Sequence, residues 1–283
     1  MRQKFRGFAV ALSAVLATTA SRVVPALADE ATAPAAAEHG APDEGLTVVP
    51  DRPGFGDSTG VTPVGHFELE LGYRFEYFDH GDTQSRTHDV PEALVRFGVL
   101  DDGLELRLET DGYEYSRSVN GSESDTQSGF NDLQVGCKVK LSDQRQYLPN
   151  IALVVSTTVG VGSRKVSDRD VQPTIELTWD KDVGHGVDIS GSGAARYSNT
   201  AGDHFVQGAG SVLVGYAVSD QIGWFAEYFF ISPNANDSAT ANYADFGATY
   251  LLTKRIQLDG TVGFGLNRVS KNFFTEPGIT VLF

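Results

Sequence analysis

The sequence is poor in the residues that carry covalent and metal chemistry. It has one cysteine, Cys137, and one methionine in 283 residues. A single cysteine excludes an internal disulfide, and cysteine or histidine pairs at zinc-ligand spacing are lacking as well. We therefore expect no cofactor and no bound metal. Nothing in the sequence resembles a nucleophile motif, so we also expect that the protein is not an enzyme.

Positive charge is scarce too. The chain has 22 Lys and Arg residues against 37 Asp and Glu, a formal net charge of −15. Binding to nucleic acid or to acidic lipid headgroups requires basic patches on the surface. The overall charge balance therefore argues against both kinds of partner.

Long apolar runs are missing after the first residues. A membrane-spanning helix needs about 20 apolar residues, and the densest later stretch, 151–155, has five. The first 28 residues differ, because three early basic residues precede an apolar run over 8–20 and small residues stand at Ala26 and Ala28. This pattern predicts a secretory signal peptide, residues 1–28, with the mature chain starting at Asp29.

What the sequence has in abundance is alternation at every second residue. In residues 66–78, HFELELGYRFEYF, apolar and aromatic residues take every second place and charged residues stand among those between them. Successive side chains of a β-strand point to opposite faces of a sheet, so this pattern predicts a strand. Strand alternation alone is equally compatible with a soluble sandwich and with a membrane barrel.

The connections between strands favour the barrel. Twelve candidate strands follow one another, and short turns such as 101–103 and 219–221 alternate with longer polar loops at 116–128, 162–170 and 232–240. Outer-membrane barrels have an even strand number, short periplasmic turns and long external loops. We predict an all-β fold, an up-and-down antiparallel transmembrane β-barrel of about 12 strands over residues 65–283, in the cell outer membrane.

The aromatic residues support this prediction, since they gather at the two ends of the strands. Tyr and Trp favour both membrane interfaces, and two belts one strand length apart match a bilayer. The belt predicted at the external end comprises Tyr77, Tyr113, Tyr115, Phe130, Tyr197, Phe205, Phe230, Tyr243 and Phe273. The belt predicted at the periplasmic end comprises Phe67, Phe97, Tyr147, Trp179, Tyr216, Trp224, Tyr250 and Phe283.

Residues 29–64 show no periodicity and are rich in Ala, Pro and Gly. We predict that they form a flexible periplasmic lead-in, and that residues 51–65 become ordered only through contact with the strands after them.

Several stretches of the mature chain resemble a family of outer-membrane proteins named after the meta-pathway of phenol degradation. They are DRPGFGDSTGVTPVGHFELELGYRF from residue 51, PEALVRFGVLDDGLELRLE from 91, GFNDLQVGCKVKL from 129, PNIALVVSTTVGVG from 149 and the closing strand. The resemblance implies a barrel of about twelve strands that passes small compounds. It brings no catalytic or ligand-binding residue with it.

A charged lumen follows from the strand pattern, because the residues between the apolar ones point inward. The candidate lumen-lining residues are Glu68, Glu70, Arg74, Glu92, Arg96, Glu105, Arg107, Glu109, Asp132, Lys138, Lys140, Glu176, Arg196, Glu227 and Asp259. Such a set either stiffens a closed barrel through cross-strand ion pairs or lines a narrow polar pore. Because acidic residues are in excess, an open lumen is expected to favour cations.

Three functions remain open. The first is a narrow channel or transporter for a small-molecule solute. The second is a closed structural or surface-interaction barrel. The third, a distant alternative, is an outer-membrane lipid-modifying enzyme, which would need Ser and His near the outer interface. The expected partners are outer-membrane lipid and the barrel-assembly machinery, for which the terminal Phe283 is the predicted signal, and no nucleic acid.

Overall fold

The computed structural model describes residues 45–100, 103–167, 169–200, 203–233 and 239–283. The predicted signal peptide and residues 29–44 of the predicted lead-in lie outside the described residues. Among the described residues, no helix has the length and apolar character needed to cross a membrane. The described part of the chain forms fifteen strand segments.

The strands follow one another in a single antiparallel sheet. Their bounds are β1 Phe67–His80, β2 Thr83–Leu100, β3 Leu104–Thr110, β4 Tyr113–Asn120, β5 Glu123–Phe130, β6 Leu133–Ser142, β7 Asn150–Val159, β8 Pro173–Gly184, β9 Val187–Thr200, β10 Asp203–Ala217, β11 Ile222–Ile231, β12 Ala241–Thr253, β13 Ile256–Gly265, β14 Phe273–Thr275 and β15 Gly278–Leu282.

The sheet closes on itself. The last segments, β14 and β15, pair with β13 on one side and with β1 on the other, and Leu69 stands opposite Val281 in that seam. Short breaks divide three of the barrel strands, so that β3 with β4, β5 with β6 and β14 with β15 each act as one strand. The barrel therefore has twelve strands, and the predicted fold class is confirmed.

Strand β2 has an extra residue where it pairs with the middle of β1. Along β2 the partner of Gly72 is Glu92 and the partner of Arg74 is Asp89, so two residues of β2, Val90 and Pro91, stand against one of β1. Proline has no N–H for the ladder and is tolerated in sheets at such bulges. As a result the outward positions of β2 change from odd numbers below the bulge to even numbers above it.

The external loop predicted at 116–128 is mostly regular structure. β4 and β5 pair along their whole length, from Tyr113 opposite Phe130 to Asn120 opposite Glu123. This hairpin continues the barrel wall beyond the end of β6. The prediction of a loop was wrong here because the alternation of these residues is largely polar, and an external hairpin needs no apolar face.

The two faces of the wall differ as the alternation predicts. Large apolar side chains stand exposed on the outside, among them Trp224 at 60% exposure and Phe246 at 55%, while Glu68, Arg96 and Lys138 are fully buried inside. Only a lipid environment makes such an exterior favourable, since an aqueous surface rarely presents so continuous an apolar band.

Two residues of the predicted external belt face the lumen instead. Tyr243 is buried, and its ring stacks on Phe229 with centroids 4.7 Å apart. Phe205 stands opposite the buried Ser198 and next to Val206, whose side chain is exposed on the outside. Adjacent side chains of a strand point to opposite faces. The belt is predicted from positions at strand ends, and such a position does not determine whether a side chain faces lipid or the lumen.

The predicted boundary at residue 65 is also wrong. The described residues of the chain belong to one compact unit, and residues 45–64, here called the lumen segment, lie inside the barrel with Val48, Asp51, Thr59 and Thr62 buried. Their low hydrophobicity suggested a flexible chain, but hydrogen bonds and ion pairs to the wall, with one aromatic contact from Phe55, hold them.

Candidate functional site

The lumen segment enters and leaves at the periplasmic end of the barrel. The amide of Val48 donates to the carbonyl of Lys254, in the turn between β12 and β13, at 2.8 Å. Val64 forms a parallel bridge with Gly98 near the periplasmic end of β2. Between these points the segment rises to the middle of the barrel and returns, with its apex at residues 54–57.

Wall carboxylates hold the backbone of the segment. Five glutamates accept main-chain N–H groups from it, at distances of 2.8–3.1 Å. A backbone N–H buried without a partner is costly, and a carboxyl oxygen satisfies it. These acids therefore hold the segment in place rather than line open water. The pairs are Glu68 with Val49, Glu70 with Asp51, Glu105 with Thr62, Glu176 with Asp57 and Glu227 with Phe55.

Arg96 is the hub of a buried ion-pair cluster. Its guanidinium lies within 3.4 Å of carboxylate oxygens of four acids and also donates to the carbonyls of two residues of the lumen segment. The side chain is fully buried. A buried cation is tolerated only with such complete pairing. The four acids are Asp51, Glu68, Glu70 and Glu105, and the two carbonyls belong to Val49 and Gly60.

Asp51 joins this cluster to the rest of the wall. Lys138 and Arg107 both donate hydrogen bonds to its carboxylate. Burial alone would raise the pKa of Asp51, but Arg96, Lys138 and Arg107 outweigh burial and hold that pKa below its usual range. The carboxylate is therefore charged, and it ties the segment to β2, β3 and β6.

A second network closes the seam between the first and last strands. Arg52 lies 3.3 Å from both Glu92 and Asp259, and Arg74 reaches Glu92 at 2.6 Å and Glu276 at 2.7 Å. The Arg52 guanidinium fits between two paired glycines, Gly72 and Gly278, where any Cβ would come within 2.4 Å of it. Glycine at these two positions makes the slot.

The apex packs against the opposite wall. Phe55 stacks on Phe229 with ring centroids 4.2 Å apart. A Cβ on Gly56 would lie 2.3 Å from the hydroxyl oxygen of Ser192, so only glycine allows this approach. Asp57 accepts from Arg107 at 3.0 Å. The apex thus spans the lumen from β3 to the wall formed by β9 and β11.

Two cavities lie above and below the apex. The outer cavity, of about 570 Å³, opens toward the external end and is lined by Phe55, Asp57, the walls of β6 to β10, and the external halves of β1 and β3. The inner cavity, of about 410 Å³, opens toward the periplasmic end beneath Gly54, Gly56 and Asp57. Asp57 lines both, so the apex is the partition between them.

Small side chains create this free space. On β9 the inward residues Ser190, Ser192 and Ala194 follow one another, and Ala209 and Ser211 face them from β10. Such residues leave an interior unfilled that longer side chains would occupy in a barrel of this size.

The structure does not bring all candidate lumen residues together. Most belong to the two networks or hold the lumen segment. Arg196 donates to the hydroxyl of Thr174 at 3.0 Å and lines the outer cavity together with Glu109 and Asp132. The remaining three have local partners: Lys140 pairs with Asp143, Glu109 accepts from Gln134, and Asp132 accepts from the amide of Gly162.

Sequence reasoning missed four residues of the site. Asp51, Arg52 and Asp57 lie in a stretch without periodicity, and Glu276 lies in the break between β14 and β15. A signal was present, because three charges within seven residues of a Gly- and Pro-rich stretch are unusual for a free linker. Among the described residues, no group of three or more His, Cys, Asp or Glu side chains is arranged to hold a metal.

The chain end is anchored at the seam. The Phe283 ring stacks on Phe67 with centroids 4.6 Å apart, and its amide donates to the carbonyl of Phe67. His66 Nδ1 lies 2.9 Å from the Phe283 carbonyl oxygen. The final residue therefore completes the pairing of β15 with β1.

Comparison with known proteins supports the architecture. A family model described as "Putative MetA-pathway of phenol degradation" matches residues 50–283. That match includes most of the lumen segment as well as the barrel. No curated protein matches the chain.

Solved structures share the barrel at low sequence identity. An outer membrane channel from Pseudomonas putida F1 superposes with a TM-score of 0.61 at 15% identity, covering 82% of this chain and 99% of that one. The translocator domain of the autotransporter NalP from Neisseria meningitidis gives 0.51 at 9% identity, with 77% and 89% covered. At such identities the likeness concerns the fold, which is that of outer-membrane barrels.

Proposed function

The chain belongs to the family whose model is described as "Putative MetA-pathway of phenol degradation". We propose that it is an outer-membrane channel for small solutes and that the lumen segment controls their passage. The observation that carries this proposal is the pair of cavities separated by residues 54–57. A barrel whose only task is structural has no need of free volume on both sides of so thin a partition.

The geometry supports a route along one side of the lumen. On the side of β1, β2, β3 and β6, the buried ion pairs fill the periplasmic half of the lumen, and the outer cavity reaches this side only above them, at Arg74, Glu109 and Gln134. On the side of β7 to β11, a solute in the outer cavity is separated from the inner cavity by the apex alone. We propose that the apex moves aside while the ion-pair cluster keeps the base of the segment attached.

The acids that remain near open space favour cations. Asp180, Asp182 and Asp188 lie together at the inner cavity, and among the described residues Arg52 is the one basic residue lining it. Acidic rings attract cations and repel anions. The five glutamates bound to backbone amides contribute less to selectivity than their number suggests, because their carboxyl oxygens already accept hydrogen bonds from the lumen segment.

A reversible crosslink tests the role of the apex. A Cβ on Gly56 lies 2.6 Å from that of Ser192, so a shift of about 1 Å reaches the Cβ separation of about 3.8 Å typical of a disulfide. In a Cys137→Ser background, Gly56→Cys with Ser192→Cys should conduct in planar bilayers when reduced. Oxidation should lower the conductance several-fold, and reductant should restore it.

The outcomes separate the open interpretations. The single variant Ser192→Cys in the same background is the control and should not respond to oxidant. Equal conductance of the oxidised and reduced double variant would refute control by the apex. If the wild-type protein and the reduced variant both fail to conduct, the closed structural barrel becomes the better interpretation. Reversal potentials in a salt gradient test the cation preference.

The enzyme alternative has less support. A lipid-modifying site needs a serine and a histidine together near the outer interface. His88 lies at that level, and its Nδ1 is 2.7 Å from the hydroxyl of Tyr73. Acyl transfer would require a serine hydroxyl beside this histidine, and the residue found there is a tyrosine.

We further propose that Phe283 serves as the assembly signal read by the barrel-assembly machinery. Phe283 is 48% exposed and its ring stacks on Phe67, so deletion removes an interfacial aromatic as well as any signal. Phe97→Ala is the matched control, because Phe97 stands opposite Phe67 at the same level. Deleting Phe283 should reduce heat-modifiable barrel in outer membranes far more than Phe97→Ala, and equal amounts would refute a signalling role.

A further inference from the structure

Two arginines stand directly opposite each other on the outside of the barrel. Arg86 of β2 pairs with Arg117 of β4, so their Cα atoms lie about 4.5–5.5 Å apart and their side chains share one face. Like charges in this position repel and destabilise a sheet. Among the described residues neither arginine forms an ion pair, although the chain as a whole is rich in acids. An external anion bound between the two arginines would relieve this repulsion.

The bulge in β2 puts Arg86 on this face. Tyr77 of β1 is the cross-strand partner of Arg86 and belongs to the outward series of β1. The Arg86 guanidinium carbon lies 5.7 Å from the centre of the Tyr77 ring. The two arginines therefore stand on the lipid side of the wall and not in the lumen.

Their height matches the outer membrane interface. Phe67 and Tyr77, at the two ends of the outward series of β1, are ten residues apart. At about 3.3 Å per residue and a tilt of about 40°, this distance corresponds to about 25 Å along the membrane normal, the height of the apolar band. Arg86 and Arg117 thus lie at the level of the outer leaflet headgroups.

Uncharged polar side chains flank the pair. Thr126 stands opposite Arg117, and Gln84 lies two residues from Arg86 on the same face. The nearest acid on this face is Asp79, whose carboxylate already accepts from Tyr77 and Gln84. Glu123 and Asp125 alternate with the outward residues of β5 and point to the other face. We name the surface formed by Gln84, Arg86, Arg117 and Thr126 the arginine face.

We propose that the arginine face binds a phosphate group of the phosphorylated glycolipid of the outer leaflet. Guanidinium groups hold phosphate oxygens in a bidentate manner, and two of them facing each other match one tetrahedral dianion. The tyrosines beside them, Tyr77 and Tyr115, contact the region where headgroup and acyl chains meet. The low overall basic charge argued against acidic lipid, but the local arrangement outweighs that average.

Native mass spectrometry of the full mature protein in detergent, titrated with diphosphorylated lipid A, tests the proposal. Arg86→Gln with Arg117→Gln should weaken binding about tenfold or more, since two charge-assisted contacts are lost. Arg145→Gln, which removes an exposed arginine from a periplasmic turn, should leave binding unchanged. Arg86→Lys with Arg117→Lys keeps the charge and should retain part of the affinity.

Two further ligands decide what is recognised. Dephosphorylated lipid A should bind weakly, and with the same affinity, to the wild-type protein and to the glutamine double variant. Equal binding of phosphorylated lipid A by the wild type and the glutamine variant would overturn the proposal, as would equal wild-type affinity for both lipids. Displacement of the lipid by an equal concentration of inorganic phosphate would identify free phosphate as the ligand instead. Heat-modifiable migration verifies that each variant is folded.

Discussion

The two sides of the lumen are built from the same kind of alternating strand and yet hold opposite contents. Along β1, β2, β3 and β6, long charged side chains meet the lumen segment, and Arg96, Lys138, Glu68 and Glu105 are fully buried. Along β7 to β11, short residues such as Ser192 and Ala194 border cavities of about 570 and 410 Å³. We call these the paired side and the open side.

The difference shows that charge inside a barrel does not by itself indicate a water-filled pore. The paired side has the greater density of charge and the less free space, because each ion finds its partner in the wall or in the lumen segment. The open side owes its volume to the small size of its inward residues. If solutes pass as proposed, stability and passage depend on different parts of one sheet.

Removing the hub of the paired side should have the largest effect on stability. Arg96→Met leaves four buried acids without their shared cation and should lower the free energy of unfolding by about 3–5 kcal/mol. Arg196→Met on the open side loses a hydrogen bond to Thr174 and should cost about 1 kcal/mol. Urea unfolding of both variants in detergent measures the comparison. Equal losses would mean that the two sides do not differ in this way.

The contrast between wall faces gives the next largest effect. Val135→Arg places a charge on the lipid face, where Val135 is 39% exposed, and should cost about 2–4 kcal/mol. Its neighbour Gln134 lines the outer cavity, and Gln134→Arg should cost about 1 kcal/mol or less, since water or Glu109 accommodates the charge. Unfolding in lipid vesicles measures both. A similar cost at the two positions would contradict the assigned faces.

A substitution that fills the open side should change stability least. Ala194→Trp adds a large ring to the outer cavity, and it should reduce conductance by roughly half or more while the free energy of unfolding changes by less than about 1 kcal/mol. Ala195→Trp adds the same ring to the lipid face at the next residue and should leave conductance unchanged. Single-channel recording distinguishes the two. Loss of conductance in both variants would indicate a disturbed barrel rather than a blocked route.

Local patterns in the sequence were enough to predict the wall. The alternation in 66–78 predicted β1 and its outward series, and the turn at 219–221 predicted the reversal between β10 and β11. These features depend on neighbouring residues only. Tyr243 shows the limit of such local patterns. Its position at a strand end suggested the aromatic belt, but in the alternation of β12 it falls among the residues that face the lumen.

The content of the lumen was beyond such patterns. Asp51 lies 45 positions from its partner Arg96, and Arg52 lies more than 200 positions from Asp259. Nothing in a stretch rich in Gly and Pro indicates that its amides will meet glutamates of four different strands. The bulge at Pro91 likewise changes which face Arg86 occupies, and its effect depends on the partner strand.

The sequence by itself determined that the chain forms strands, that one face of each is apolar, and that twelve of them suffice for a closed wall. These properties follow from period-two alternation and turn residues, which act within a few positions. Only the tertiary structure decided that the lumen segment fills one side of the barrel and leaves the other open. Closing the barrel brings distant charges within hydrogen-bond distance, and the burial of those charges then requires the pairing that holds the segment.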